Sequence, residues 1–200
     1  MIYSLFGAIA GGIVLGYLCF DVSDKPALDT TLMTALNFMI LVAGVEIGSN
    51  RKLITKICTP KNMVLALALP LGTIIGSFAG GYLSSYLTGL DAYDSILVAS
   101  GLGWYSLSSV VISTMHSTEL GAIAFFANMI REVSSFVLIP LLARWHKLMC
   151  IAPGGAATMD SLLPLVINSA GMHTGMFSFI NGLVLSLLVP VFLSLLLNAL

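Results

Sequence analysis

Charge is what this sequence has least of. Asp, Glu, Lys and Arg make up 8% of its 200 residues, against a hydrophobic share of 58%. Soluble domains carry about 25% charged residues, so the scarcity excludes a water-soluble globule. The formal net charge is −1, and no basic stripe is interleaved with aromatics, so nucleic acid is not an expected partner. Cysteine is almost absent too. Cys19, Cys58 and Cys150 are scattered without disulfide or metal-ligand spacing, and they read as small apolar residues. His116, His146 and His173 stand at segment ends, again without metal spacing, and read as loop residues. Neither a metal nor another cofactor is expected. The N-terminus lacks a basic stretch and a small-x-small cleavage site before Asp21, so its first hydrophobic run is expected to be a retained span rather than a signal.

What the chain has in abundance is long apolar runs. Mean hydropathy is +1.03. Stretches such as "IYSLFGAIAGGIVLGYLCF" and "GLVLSLLVPVFLSLLLNAL" match the roughly 20 residues a bilayer-spanning helix needs. The expectation is an all-α polytopic membrane protein forming a single domain over residues 1–200. Hydropathy predicts five spans, near 2–20, 30–48, 63–87, 119–143 and 176–198. Two further apolar segments, 95–116 and 148–170, are interrupted by "ASGLGWYSLSS" and "APGGAATMDSLLP". Gly-rich breaks at membrane depth mark unwound backbone, tolerated only where protein or a water-filled cavity satisfies its polar groups.

The loops orient these spans. "SNRKLITKICTPK" carries Arg51, Lys52, Lys56 and Lys61 and belongs on the cytoplasmic side. "DVSDKPALD" and "TGLDAYD" are acidic and fall outside. The basic "ARWHK" at Ala143 to Lys147 should also be cytoplasmic, which requires 95–116 to enter and leave from the outside rather than cross. Half-helices of roughly 10 residues reach about 15 Å, half the hydrocarbon thickness. The same reasoning makes 148–170 re-entrant from the inside. The chain then reads as three spans (1–90), a hairpin plus span (91–145) and an inverted hairpin plus span (146–200). Asn128 aligns with Asn181, and Pro140 with Pro190. Inverted repeats with broken segments at corresponding positions point to a transporter site near the midplane.

Nearly every charge lies in a loop or at a span end. The exceptions are Arg131, Glu132 and Asp160, with Glu46 near the end of the second span and read as solvated. A charge at the bilayer centre costs roughly 2.5–3.5 kcal/mol on insertion scales, so these residues mark a cavity or pathway. Asn128, Glu132 and Ser135 are spaced i, i+4, i+7 on one helix face. Arg131 lies about 100° round the helix, where it either contributes to the site or clamps the hairpins. Asp160 follows "GGAATM", where it can cap a half-helix or face Glu132. Desolvation and mutual repulsion disfavour two ionised acids, so such a pair can exchange protons for a cation. Trp104, Tyr105, Ser106, Ser108 and Ser109 are candidates to line the path, and can equally act as interfacial anchors or helix-packing contacts.

"SGLGWYSLSS", "ELGAIAFFANMIREV" and "GGAATMDSLLP", in this order and spacing, resemble the LysO family of bacterial inner-membrane lysine exporters, over essentially the whole chain. The resemblance implies export of L-lysine and its toxic analogue thialysine in exchange for protons. It places the family's functional acidic pair on Glu132 and Asp160. Thr158 and Asn181 join the candidate site through the second hairpin and the repeat. The family's block reads more like "GGATSMD", whereas this chain has Ala157 and Thr158 there, which bears on substrate preference. Single-chain members carry further N-terminal spans. The chain therefore resembles the long partner of a split transporter, completed by a short membrane protein or a homodimer. The competing reading is a non-transporting assembly subunit whose charges only set helix packing. A lysine-conducting channel would differ in not following the proton gradient. An intramembrane aspartyl protease is disfavoured because no "GxGD" loop is present.

Overall fold

The computed structural model describes residues 59–198 continuously, together with isolated helical positions at 11, 14–18, 34, 38, 41 and 45. Most of the spans expected at 2–20 and 30–48 therefore lies outside the described residues, as do Glu46, Arg51, Lys52, Lys56, Cys19 and Cys58. Residues Met1–Val42 form one compact unit and Ala43–Leu200 a second. The described positions of the first are helical and exposed.

In the second unit three helices are long and apolar enough to span a membrane, and no strand occurs among the described residues. Helix α1 covers Pro60–Thr88, and starts where Pro60 can occupy the first turn without forfeiting a hydrogen bond. It stops at Gly89, whose φ of 74° ends the helix while its N–H bonds the Ser85 carbonyl. Two short helices follow, α2 (Ala92–Ala99) and α3 (Tyr105–Met115). Helix α4 spans Thr118–Ala143, with the Ser117 hydroxyl accepting the Leu120 N–H at its start. A 3-10 helix over Ala152–Met159 and the short α5 (Leu163–Ala170) lead into α6, Met172–Leu197. At 1.5 Å per residue, α2, α3 and α5 reach only about 12–17 Å, too short to cross hydrocarbon. Helix α6 begins four residues before the hydropathy estimate, because Gly171 with φ 92° sets the break that hydropathy cannot register.

Packing divides the unit into two ends. One apolar cluster gathers Ile74 of α1, Leu97 and Val98 of α2, Ile112 of α3, Leu120 and Ala124 of α4, and Leu193 and Leu197 of α6. The other gathers Ala66 of α1, Ile139 of α4, Cys150, Ile151, Leu162, Val166 and Phe177. The N-terminal end of α4 thus sits with the C-terminal end of α6, so these two helices run antiparallel. Thr73 pairs with Asn181, and Phe78 packs edge-on to Phe192 at 5.2 Å, so α1 runs parallel to α6. Most of each broken segment packs at one end, with Ala156 of the second reaching into the first cluster. The clearest sign is His116, just past α3, whose Nε2 lies 2.9 Å from the Asp94 carboxylate at the start of α2. The segment 92–116 leaves on the side where it entered.

The two halves repeat a local plan. The fourth residue of α4 is Gly121 and of α6 is Gly175, and a Cβ at either would overlap the preceding short helix, at Ser113 or Ile167. Small residues there let each long helix approach its short neighbour closely. Each long helix then carries an asparagine, Asn128 or Asn181, and a proline, Pro140 or Pro190.

Candidate functional site

The two breaks meet. The Ala156 N–H donates to the Leu102 carbonyl at 2.9 Å, joining the second break to the first. The bond requires left-handed backbone on both sides, Leu102 at φ 48° and Gly155 at φ 57°. A Cβ at Gly155 would collide with the Leu102 carbonyl oxygen, so glycine is needed there twice over.

Unwound backbone inside a bundle must find partners, and the asparagines supply them. Buried Asn128 accepts the Gly103 N–H at 2.8 Å and donates to the Val98 and Ala124 carbonyls at 3.1 and 2.9 Å. Buried Asn181 donates to Thr158 Oγ1 at 3.2 Å and to the Gly155 carbonyl at 3.4 Å, and accepts from Thr73 at 3.5 Å. Thr158 itself donates to the Gly155 carbonyl at 2.6 Å, while the Ser178 hydroxyl caps the Thr158 carbonyl at 2.9 Å. Asn128, Asn181 and Thr158 therefore hold the breaks in shape.

The acids converge from separate elements. Glu132 is near the middle of α4, and Asp160 ends the 3-10 helix. Ser161 joins them: its hydroxyl donates to Glu132 Oε1 at 2.5 Å and its N–H to Asp160 Oδ1 at 2.6 Å. Both carboxylates are half-buried. Tyr105, from the first break, lies within electrostatic reach of both, its ring edge-on to Phe125 at 5.4 Å. Two carboxylates and a hydroxyl thus meet where α4 passes the second break. Such a set can take a cation or a proton.

Arg131 faces elsewhere. Its guanidinium donates to the Pro153 and Ala152 carbonyls at 2.9 and 3.1 Å and to Ser77 Oγ at 2.9 Å. It has no carboxylate partner among the described residues. These three bonds tie α1 and α4 to the second broken segment, the geometry of a backbone clamp. Arg131 also borders two cavities against α1, of about 210 and 410 Å³. Ser135 is fully buried and bonds the Arg131 carbonyl of its own helix at 2.7 Å. Trp104 and Ser106 are exposed. Ser108 is buried against the Trp104 carbonyl at 2.9 Å, and Ser109 bonds the Ser106 carbonyl at 3.4 Å. Sequence reasoning missed Ser161, Thr73, Ser77 and Ser178. Only Ser161 carried a signal, its place beside an intramembrane acid.

A family model described as lysine exporter LysO matches residues 6–197. A protein of Haemophilus influenzae assigned as a lysine exporter is 31% identical over 191 residues, 94% of each chain. The lysine exporter LysO of Escherichia coli K12 is 27% identical over 193 residues, covering 95% of this chain and 62% of that protein. No solved structure matches.

Proposed function

The chain belongs to the lysine exporter LysO family, a family of multi-pass membrane proteins, and from this we propose that it carries L-lysine and toxic analogues such as thialysine out across the bacterial inner membrane in exchange for protons. The observation that carries the reading is Ser161 bridging Glu132 and Asp160, at the level where the two breaks touch. A cationic side chain needs anionic oxygen to replace its lost hydration, and two carboxylates held a hydroxyl apart offer it. A proton competes for the same oxygens. Protonation removes the charge that holds the ammonium, so substrate and proton occupy the pair alternately, and a proton gradient drives lysine outward.

The two broken segments enter as hairpins from opposite faces and return. The packing of most of each segment into a different apolar cluster supports this, as does the positive-inside placement of Arg144 and Lys147. Glu132, Asp160 and Tyr105 are the substrate and proton groups, and Asn128, Asn181, Thr158 and Arg131 keep the breaks in register around them. Trp104 and Ser106 line the approach.

The test uses cells lacking their own lysine exporter. They express wild type, Glu132→Gln or Asp160→Asn, each with and without a candidate small membrane partner. Thialysine resistance and lysine release are read at matched membrane levels. Wild type should confer both, and each isosteric variant should lose both. Variants that export normally would reduce the acids to packing roles and overturn the antiport mechanism.

A further inference from the structure

A cavity of about 210 Å³ lies between α1, α2 and α4, bordered on α4 by Ala127, Asn128 and Arg131. Its polar lining is Ser77, Ser84, Ser95, Asn128 and Arg131, with Gly80 on its wall, and no carboxylate borders it. Ser95 is 3% exposed and its hydroxyl has no hydrogen-bond partner. A buried orphan hydroxyl is costly and asks for an occupant. Ser77 accepts from Arg131, which leaves its own hydrogen to donate. The guanidinium has five N–H groups, of which three are committed to Pro153, Ala152 and Ser77. Two remain, and the charge has no counter-ion among the described residues.

The uncommitted hydrogens bordering this space belong to Ser95, Ser77 and Arg131, and the one formal charge is positive. We propose that the cavity is a binding site for a small monovalent anion, with a carboxylate as the fitting class. Ser95, Ser77 and the free N–H groups of Arg131 donate to it, and it supplies the charge that a guanidinium at membrane depth otherwise lacks. Two sources offer that chemistry: the α-carboxylate of an exported amino acid, or a free inorganic anion such as chloride. The first source rests on the lysine-export reading and the second does not.

Replacing Arg131 would release the second broken segment, so the test avoids it. Ser95→Ala removes a hydroxyl that has no bond to lose. Gly80→Leu fills the space, because a Cβ at Gly80 meets nothing within 4 Å. Purified full chain in lipid nanodiscs is titrated with L-lysine, with 1,5-diaminopentane (lysine without its carboxylate), and with sodium chloride against sodium gluconate. Binding is read by calorimetry and thermal shift. If the substrate is the source, wild type should prefer L-lysine over 1,5-diaminopentane, and both variants should reduce that preference about tenfold, the loss expected for a charge-assisted hydrogen bond. If a free anion is the source, chloride should stabilise wild type and neither variant. That result supports the site even where lysine fails to bind, which would count against the export reading alone. Lysine binding equally to wild type and both variants, with no chloride effect, would show a cavity holding only water and overturn the proposal while leaving export standing. No response to either probe would overturn it as well.

Discussion

Ser161 shows how much a single hydroxyl decides at this site. Among the described residues, its hydrogen bonds are the ones that tie the Glu132 and Asp160 carboxylates together. Ser161→Ala should leave the membrane level unchanged, yet raise the lysine concentration for half-maximal export about tenfold, the worth of a hydrogen bond to a charged group. Ser161→Thr restores the hydroxyl and should recover most of the loss. A merely structural serine would show neither the selective rise nor the rescue. Arg131→Lys separates clamp from site in the same way. A lysine is a point charge that cannot span three acceptors, so detergent-purified protein should lose about 3 kcal/mol or more of stability. Glu132→Gln should melt near wild type. Equal melting of Arg131→Lys and wild type would remove the clamp. At this scale the sequence was legible where a residue is expensive. Glu132, Asp160 and Arg131 stand out because charge at membrane depth is rare and costly. Ser161, Ser77, Thr73 and Ser178 do not, because serine and threonine are ordinary helix-packing residues in membranes. Ser135 shares a helical face with Glu132 in the sequence, and its hydroxyl donates to the Arg131 carbonyl of its own helix.

Among the elements, the breaks carry the design. Glycine-rich stretches announced both, since they interrupt apolar runs that would otherwise be uniform helix. That the breaks touch was not legible. The Ala156–Leu102 bond joins residues of separate segments, and hydropathy contains no information about which backbone group meets which. Nor did it specify a 3-10 helix over Ala152–Met159, whose form depends on Asn181, Thr158 and Arg131 holding its carbonyls. Gly155 tests this junction. Its φ of 57° and the Leu102 oxygen in the place of a Cβ make Gly155→Ala both strained and clashing, at a cost of about 2–3 kcal/mol or more. A lower melting temperature and reduced membrane level should follow. Gly76→Ala is the control, because a Cβ there meets nothing within 4 Å and alanine favours helix by roughly 1 kcal/mol. If both variants behave alike, the joined breaks do not hold the unit together.

For the molecule as a whole, the question is sidedness. Hydropathy alone permits 92–116 to cross the membrane, and only the basic residues after α4 argued otherwise. The packing adds a second argument of a different kind: His116 reaches Asp94, and Tyr93 Oη donates to the Leu196 carbonyl at the far end of α6, 2.6 Å away. The start of the first broken segment, its end, and the C-terminal end of α6 are one face of the bundle. Single cysteines in a cysteine-free background can test this with a membrane-impermeant thiol reagent. Asp91 and Thr118 flank the first broken segment, Lys147 and Asn168 flank most of the second, and all four are exposed. In intact cells Asp91→Cys and Thr118→Cys should both be labelled. Lys147→Cys and Asn168→Cys should be labelled only after the membrane is opened. Labelling of Asp91→Cys and Thr118→Cys from opposite sides would make 92–116 a crossing segment, reverse α4 relative to the bilayer, and remove the opposed hairpins on which the proposed exchange at Glu132 and Asp160 depends.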